Sequence, residues 1–153
     1  DDFQLAMLDT LSRQATPPPA YLVVFNRLFD QARGVAFGGW DLSYRNLRVL
    51  GAARKRGMVL PPLSATGNIC SGRVMLEYAL LGCENGQVHT FFQLPHREYT
   101  ATAGTRSARA LHTLLLHPLE GLVPWLWHLH ESGRLEPTGG VLRFRDAIGR
   151  IVD

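Results

Sequence analysis

The sequence predicts an α/β fold in which parallel strands are joined by helical crossovers. Three short apolar runs carry this prediction: Ala20–Phe25, Met58–Ser64 and Gly86–Phe92. Segments with helical spacing of apolar residues separate them, and glycine or proline marks the junctions. Alternation of strand and helix is typical of parallel sheets with right-handed crossovers. Three strands with two crossovers form either a small open sheet or part of a barrel.

The composition is that of an ordinary globular protein. The chain has 153 residues, a hydrophobic fraction of 46% and a formal net charge of +3. This length suits one domain or a part of a larger one. We interpret residues 1–153 as one partial domain, with βα units in 1–92 and a loop and C-terminal helices in 93–153. No apolar run approaches the roughly 18 residues of a transmembrane helix, so no membrane span is expected.

Charge and cysteine usage bear on the compartment and the partners. Cys70 and Cys83 lack CxxC spacing, which favours a reduced, cytoplasmic setting. The basic residues are scattered except for Arg54–Arg56, a cluster typical of a helix C-terminus. Without interleaved aromatic residues, this charge predicts no nucleic-acid partner. His128 and His130 lie two apart on a predicted helix and face different ways, so no metal site is predicted.

The first elements are a helix, a strand and a long connection. Phe3–Gln14 has helical periodicity, and the prolines that follow end the helix. The strand Ala20–Phe25 ends at Asn26. Leu28–Trp40 contains three glycines and has no period, which predicts a long loop with room for a short hairpin.

A second helix and strand follow this connection. The helix is predicted to begin at a cap formed by Asp41 or Ser43 and to end at Gly57. The strand Met58–Ser64 contains two prolines, which we expect at its start or at an irregularity. The buried side of the helix is predicted to include Tyr44, Leu47, Val49, Leu50 and Ala53.

A tight turn after the second strand predicts an anion-binding place. The turn is Thr66-Gly67-Asn68, and Ser71 then opens a helix that stops at Gly82. Backbone amides of such a turn, together with the positive end of a helix dipole, can hold a phosphate. The alternative is a plain strand-to-helix turn without a ligand. The third strand, Gly86–Phe92, follows the helix.

The C-terminal third is predicted to be helical. A polar loop over 93–105 precedes a helix at Arg106–Leu116. A second helix, Pro118–Ser132, is followed by a turn at Pro137–Gly140 and by a last element of unassigned type, Val141–Val152. The inward side of the second helix is predicted to contain Leu119, Leu122, Val123, Leu126 and Leu129.

Four segments resemble the dihydroorotate dehydrogenase family and the related domain of dihydropyrimidine dehydrogenases. They read LSATGNI at 63–69, EYALLGC at 77–83, QVHT at 87–90 and AYLVVFNR at 20–27. In that family a strand ends in T-G-G, a helix and G-A follow, and the next strand reads V-Q-V-x-T. The family fold is an FMN-binding (β/α)8 barrel, known as a TIM barrel.

The resemblance implies the C-terminal half of such a barrel, with parallel strands near 20–26, 58–64 and 86–92. It implies FMN as the cofactor and hydride transfer between a pyrimidine-type substrate and the flavin. The phosphate of barrel enzymes sits after the last two strands. On this basis the backbone amides of Gly67, Asn68 and Ile69 would bind one side of the FMN phosphate and His89 and Thr90 the other, while Asn26 would reach the substrate.

Two departures limit what the resemblance implies. Asn68 replaces the second glycine of the family turn, although asparagine tolerates left-handed backbone. A whole barrel has ~250 residues, so the 153 residues here correspond to about its second half. The family's lysine and its catalytic base lie in the first half, so no catalytic residue is predicted here. An N-terminal half or a partner chain is expected to complete the barrel, and an oligomer is compatible with this.

Two alternatives to an enzyme remain open at this point. The first is a non-catalytic phosphate-binding or structural subunit of the same architecture. The second is an unrelated three-layer α/β domain in which the turn at Gly67 is only a turn.

Overall fold

The computed structural model describes residues 1–14, 16–38, 42–93 and 103–150. The strands are β1 (Leu22–Val24), β2 (Leu28–Asp30), β3 (Val35–Phe37), β4 (Leu63–Ala65) and β5 (Cys83–Gly86). The helices are α1 (Asp2–Gln14), α2 (Leu42–Lys55), α3 (Gly72–Leu80), α4 (Thr90–Gln93), α5 (Arg106–Leu116) and α6 (Leu122–Glu131), and Phe144–Ala147 forms a 3-10 helix.

Three strands form one parallel sheet, which confirms the predicted α/β class. The spatial order is β1-β4-β5. In the first pair Leu22 lies opposite Leu63, and Val24 lies opposite Ala65. The second pair shifts its register by one residue after Leu63. The strands β2 and β3 form a separate antiparallel hairpin, so the predicted loop over Leu28–Trp40 does contain a hairpin.

The described helices cover one face of the parallel sheet. The helix-facing positions of the strands enter one hydrophobic cluster with α1, α2 and α3, and these positions are Leu22, Val24, Leu63, Ala65 and Cys83. The alternating positions Val23, Ser64 and Asn85 belong to neither hydrophobic cluster of the described residues. Side chains alternate between the faces of a strand, so these positions lie on the second face of the sheet, outside the hydrophobic clusters that the described helices form.

The helix α3 begins and ends where the sequence predicts. Ser71 caps it, because its hydroxyl oxygen accepts a hydrogen bond from the backbone N–H of Val74 at 3.2 Å. Gly82 follows the helix with a φ of +100°. The outer side of α3 packs on α5, α6 and the C-terminal segment, through a second cluster around Leu76 and Leu126. Two layers of helices therefore lie on the covered face of the sheet.

The predicted third strand, Gly86–Phe92, is wrong in position. The strand is Cys83–Gly86, and Thr90–Gln93 is helical. Cys83 is buried in the core beside the helices, so the chain pairs with β4 as soon as it leaves Gly82. The hydrophobic run at Val88–Phe92 suggested a strand, but Phe91 and Phe92 instead become half-buried in the short helix α4.

The second strand is shorter than predicted, and prolines are the reason. Pairing begins at Leu63, because Pro61 and Pro62 have no N–H to donate. The carbonyl of Pro62 is still used, since it accepts a hydrogen bond from the N–H of Leu22 at 2.9 Å. The first strand likewise shortens, from Ala20–Phe25 to Leu22–Val24.

Some helix predictions also need correction. The helix α2 begins at Leu42, so Ser43 lies inside it and is not its cap. The other candidate cap, Asp41, lies outside the described residues. Tyr44, predicted on the buried side of α2, is 71% exposed. In α6, which begins only at Leu122, the predicted core residues Leu119 and Val123 are exposed.

The remaining C-terminal predictions agree with the structure where it describes them. The helix α5 has the predicted bounds, and Thr105 caps it. The predicted turn at Pro137–Gly140 contains an isolated bridge between Thr138 and Val141. Most of the predicted polar loop, residues 94–102, lies outside the described residues, as do residues 151–153. Within the described part of the chain, no helix has the length and apolar character needed to cross a membrane.

Candidate ligand-binding site

The carboxyl ends of the three parallel strands surround one cavity of about 610 Å³. Its wall consists of residues 26–27 after β1, residues 66–70 after β4 and residues 87–91 after β5, with Gly38 and Leu42 completing it. Ligands of parallel α/β sheets and barrels bind at this end of the strands. The volume lies within the roughly 300–1,000 Å³ of small-molecule sites.

All six residues predicted from the sequence to bind ligands line this cavity. They are Asn26, Gly67, Asn68, Ile69, His89 and Thr90. His89 and Thr90 line it although they are not in a strand: His89 lies between β5 and α4, and Thr90 is the first residue of α4. Asn26, His89 and Thr90 are exposed, Asn68 is half-buried, and Gly67 and Ile69 are buried. The structure thus brings the predicted set together at one place.

The turn between β4 and α3 has the backbone that the sequence predicts. Gly67 has a φ of +89° and Asn68 a φ of +55°, both in the left-handed region. Asn68 is the one described non-glycine residue with positive φ. Within the described chain, no backbone carbonyl accepts a hydrogen bond from the N–H of Gly67 or Ile69. Successive amides in such a turn, close to the start of a helix, suit an anion.

A buried asparagine holds two of the strand ends together. Asn46 on α2 is 0% exposed, and its Nδ2 donates to the carbonyl of Phe25 at 2.9 Å and to that of Thr66 at 3.0 Å. Its Oδ1 accepts from Nη2 of Arg45 at 2.9 Å. Phe25 and Thr66 directly precede Asn26 and Gly67. All hydrogen-bonding directions of this buried amide group except one are therefore used.

Tyr78 contacts the same turn from the hydrophobic core. Its hydroxyl lies 3.4 Å from the carbonyl oxygens of both Thr66 and Gly67, and its ring is buried in the core. Burial raises the pKa of Tyr78 to about 12. The phenol therefore stays protonated at neutral pH and remains a hydrogen-bond donor to the turn.

The charges around the cavity favour an anionic ligand. Among the lining residues that the structure describes, Arg27 is the cation and none is an aspartate or a glutamate. Glu84 on β5 is exposed and is not part of the wall. Sequence reasoning did not select Arg27, although its position directly after Asn26 at a strand end was a usable signal.

The thiols near the site are not activated nucleophiles. Cys70 lines the cavity, and burial raises its pKa above the ordinary value. Burial also raises the pKa of Cys83 to about 12, and this residue lies in the core. A reactive cysteine needs a lowered pKa, so neither thiol has the environment of a catalytic nucleophile.

Other candidate groups lie away from the cavity or do not cluster. Lys55 is the last residue of α2 and is not part of the cavity wall. In the described ranges, no group of three or more His, Cys, Asp or Glu residues could hold a metal ion. Trp127 on α6 is 57% exposed and is not part of the cavity wall.

Asn46 is the main site residue that the sequence interpretation missed. Its signal was nevertheless present, because Asn46, Val49, Leu50 and Ala53 follow the helical spacing of i, i+3, i+4 and i+7. A polar residue on an otherwise apolar stripe is expected to have a specific hydrogen-bonding partner. The partners themselves lie 20 and 21 residues away in the chain, so only the tertiary structure identifies them.

Comparison with known proteins adds no family assignment. No protein-family model matches the chain, and no curated protein sequence matches it. Its function is therefore argued from the cavity and from the residues that form it.

Proposed function

We propose that this chain is the C-terminal half of an FMN-dependent oxidoreductase that resembles the dihydroorotate dehydrogenases. In this proposal the cavity binds the phosphate of FMN and part of a pyrimidine-type substrate. One observation carries the proposal: six residues selected from the sequence, on three separate segments, line a single cavity at the carboxyl ends of parallel strands.

The turn after β4 supports the phosphate assignment. Gly67 and Asn68 have left-handed backbone in the cavity wall. The first amides of α3 do not take part, because those of Arg73 and Val74 already donate to Glu120 and Ser71. The N–H groups of Gly67 and Ile69 are available to an anion among the described contacts. Arg27 adds a full positive charge, and the described residues of the wall include no carboxylate. A phosphate dianion fits this donor set better than a neutral or cationic ligand does.

The sheet supports a partial barrel rather than a three-layer domain. In a (β/α)8 barrel the helices cover only the outer face of the strands, and the inner face is closed by other strands. Here the hydrophobic cluster formed with the described helices lies on one face. On the opposite face Val23 is 42% exposed, whereas Ser64 is 2% exposed. Within the described chain, β1 and β5 each pair on one side only. We infer that an N-terminal half or a partner chain supplies the neighbouring strands.

The residues of this chain would bind and orient the ligands. Flavin, when bound, supplies the hydride chemistry. The amide of Asn26, which has both donors and an acceptor, matches the carbonyl and N–H edge of a pyrimidine. The turn at Gly67–Ile69 and the segment His89–Thr90 would fix the phosphate end. No residue of the described cavity is assigned as the catalytic base.

A non-catalytic subunit of the same architecture is the second candidate. It is favoured by the raised pKa of Cys70, the thiol nearest to the turn, and by the position of Lys55 away from the cavity. Such a subunit would still bind phosphate through the turn. The two candidates therefore differ in flavin and substrate binding, not in phosphate binding.

Native mass spectrometry of the protein isolated from its source tests the proposal. A species that contains FMN and a second polypeptide, or a longer chain that includes this one, is the expected result. Titration of the same preparation with FMN and with riboflavin, which lacks the phosphate, then measures how much the phosphate contributes to the binding affinity. We expect riboflavin to bind at least about tenfold more weakly, as the loss of one charged anchor implies. A protein that binds phosphate but neither flavin is the non-catalytic subunit, and one that binds none of them contradicts both candidates.

A further inference from the structure

The hydrogen-bond ladder between β1 and β4 is extended at its carboxyl end by a side chain. The last backbone bond joins the N–H of Thr66 to the carbonyl of Val24 at 2.9 Å. The next two carbonyls, those of Phe25 and Thr66, both accept from Nδ2 of Asn46, at 2.9 and 3.0 Å. The two N–H bonds of one amide group thus link two strands beyond their ladder.

The orientation of this amide is fixed by its surroundings. The reverse orientation would place the Asn46 oxygen against two carbonyl oxygens, without a donor between them. In the observed orientation that oxygen accepts from Arg45, the preceding residue of α2. Asn46 is fully buried, so water does not compete for these bonds. The separation of the two carbonyls is therefore set by a rigid planar group.

Each of the two linked carbonyls belongs to a residue that comes directly before a lining residue of the cavity in the sequence. Phe25 is followed by Asn26, and Thr66 is followed by Gly67. The Cβ position of Gly67 is itself enclosed by the Phe25 oxygen at 2.6 Å and by Nδ2 of Asn46 at 2.8 Å. A displacement of Asn46 would therefore move the strand end at Asn26 relative to the turn at Gly67.

We propose that Asn46 is a positioning residue that sets the distance between the substrate side of the cavity, at Asn26, and its phosphate side, at Gly67–Asn68. Its effect on ligands rests on the function proposed above, whereas its effect on the two strand ends does not. The Tyr78 hydroxyl contacts the carbonyls of Thr66 and Gly67 and also the side chain of Asn46, but among the described contacts it makes no hydrogen bond to the carbonyl of Phe25. Asn46 therefore bridges two strand ends, whereas Tyr78 bonds to carbonyls of one end. A substitution of Tyr78 is the control for a substitution of Asn46.

The ligand-free test measures backbone order at the two strand ends. The 153-residue chain is labelled with 15N, and order parameters are compared for the wild type, Asn46→Leu and Tyr78→Phe. We expect Asn46→Leu to lower the order parameters of both Asn26 and Gly67, and Tyr78→Phe to lower only that of Gly67. Unchanged order at Asn26 in folded Asn46→Leu would overturn the proposal.

The ligand test compares FMN with inorganic phosphate. Phosphate alone needs only the turn, whose carbonyls Tyr78 still contacts in Asn46→Leu, so its affinity should fall by only about twofold, less than that of FMN. FMN extends from the turn toward Asn26, so we expect about tenfold weaker binding in Asn46→Leu, the effect of one misplaced contact. A purely structural role would weaken both ligands by the same factor, and that result would refute the positioning role.

A milder substitution keeps the test decisive if Asn46→Leu does not fold. The single hydroxyl of Asn46→Ser can serve only one of the two carbonyls, so order should fall at one strand end and persist at the other. Equal order at both ends in Asn46→Ser would contradict the bridging role. If wild-type protein binds neither FMN nor phosphate, the proposed function fails, and the order parameters still decide whether Asn46 links Asn26 to Gly67.

Discussion

Gly67 and Phe25 meet so closely that no side chain fits between them. A Cβ atom added at Gly67 would lie 2.6 Å from the carbonyl oxygen of Phe25. The same glycine has a left-handed φ of +89°. Backbone conformation and close packing therefore both require glycine at this position, at the point where the end of β1 approaches the turn after β4.

Gly67→Ala should destabilise the protein through both effects. Left-handed backbone costs a non-glycine residue about 1 kcal/mol, and the enforced contact with the Phe25 carbonyl adds about 2 kcal/mol. Gly34→Ala is the matched control, because Gly34 has a φ of +65° but no atom within 4 Å of its Cβ position. Urea denaturation should therefore give a loss of about 3 kcal/mol for Gly67→Ala and about 1 kcal/mol for Gly34→Ala. Equal losses would show that close packing at Gly67 is unimportant.

Arg27→Gln should weaken the binding of FMN, because Arg27 is the cation in the cavity wall. An exposed charge beside a phosphate contributes about 1 kcal/mol, so we expect roughly fivefold weaker binding at low salt. The difference should shrink as ionic strength rises. Isothermal titration calorimetry at two salt concentrations measures both effects.

Arg33→Gln is the control for this charge effect. Arg33 lies on the hairpin, where its Nε is 3.6 Å from a carboxylate oxygen of Asp30, and it is not part of the cavity wall. Both variants remove one positive charge from the chain. A loss of affinity that is the same in the two variants would mean that net charge, not the position of Arg27, attracts the ligand.

Tyr78 should make the protein sensitive to alkaline pH. Its pKa is raised from the ordinary value of 10.0 to about 12 in the folded protein, chiefly by burial. The unfolded chain therefore loses this proton at lower pH than the folded chain does. The stabilising effect is fully present below pH 10 and is lost as the pH rises from 10 toward 12.

The free energy of unfolding, measured between pH 9 and 11.5, tests this assignment. It should decline less steeply in Tyr78→Phe than in the wild type. Cys83, whose pKa is also about 12, contributes to the decline in both proteins and so cancels from the difference. If the free energy of unfolding declines equally with pH in Tyr78→Phe and in the wild type, Tyr78 is not a source of the alkaline sensitivity.

Cys70 should report on ligand binding through its rate of alkylation. Its raised pKa keeps the thiol protonated at neutral pH, so iodoacetamide should react more slowly than with a free cysteine. Cys83 is buried and should react more slowly still. Because Cys70 lines the cavity, FMN or inorganic phosphate should slow its modification further while leaving Cys83 unchanged. Peptide mass spectrometry follows both sites, and protection of neither thiol would argue against a ligand in this cavity.

The local elements of the fold were largely predictable from the sequence. Helix α5 has the predicted bounds, and Ser71 caps α3 as expected, because caps and helical periodicity act over a few residues. The left-handed turn at Gly67-Asn68 was predictable for the same reason. The third strand was misplaced, because the run Gly86–Phe92 was interpreted as a strand, whereas the strand is Cys83–Gly86 and Thr90–Gln93 is helical.

The assignment of site residues had a similar limit. The turn at Gly67 follows from the order of apolar runs and turns, whereas Asn26 and Thr90 were implied by the family resemblance. Parallel strands bring their carboxyl ends to one edge of a sheet, where such residues can meet. Arg27 and Asn46 do not follow in this way. Their roles depend on which groups face them, and those groups belong to distant segments.

The sequence by itself determined the helices, the turn chemistry and the parallel α/β class, because these arise from residue type and short-range periodicity. The tertiary structure decided the rest. It put the described helices on one face of the sheet, moved the third strand to Cys83–Gly86 and joined Phe25 to Thr66 through Asn46. Each of these depends on contacts between segments 20 or more residues apart, where burial and hydrogen-bond satisfaction outweigh local preference.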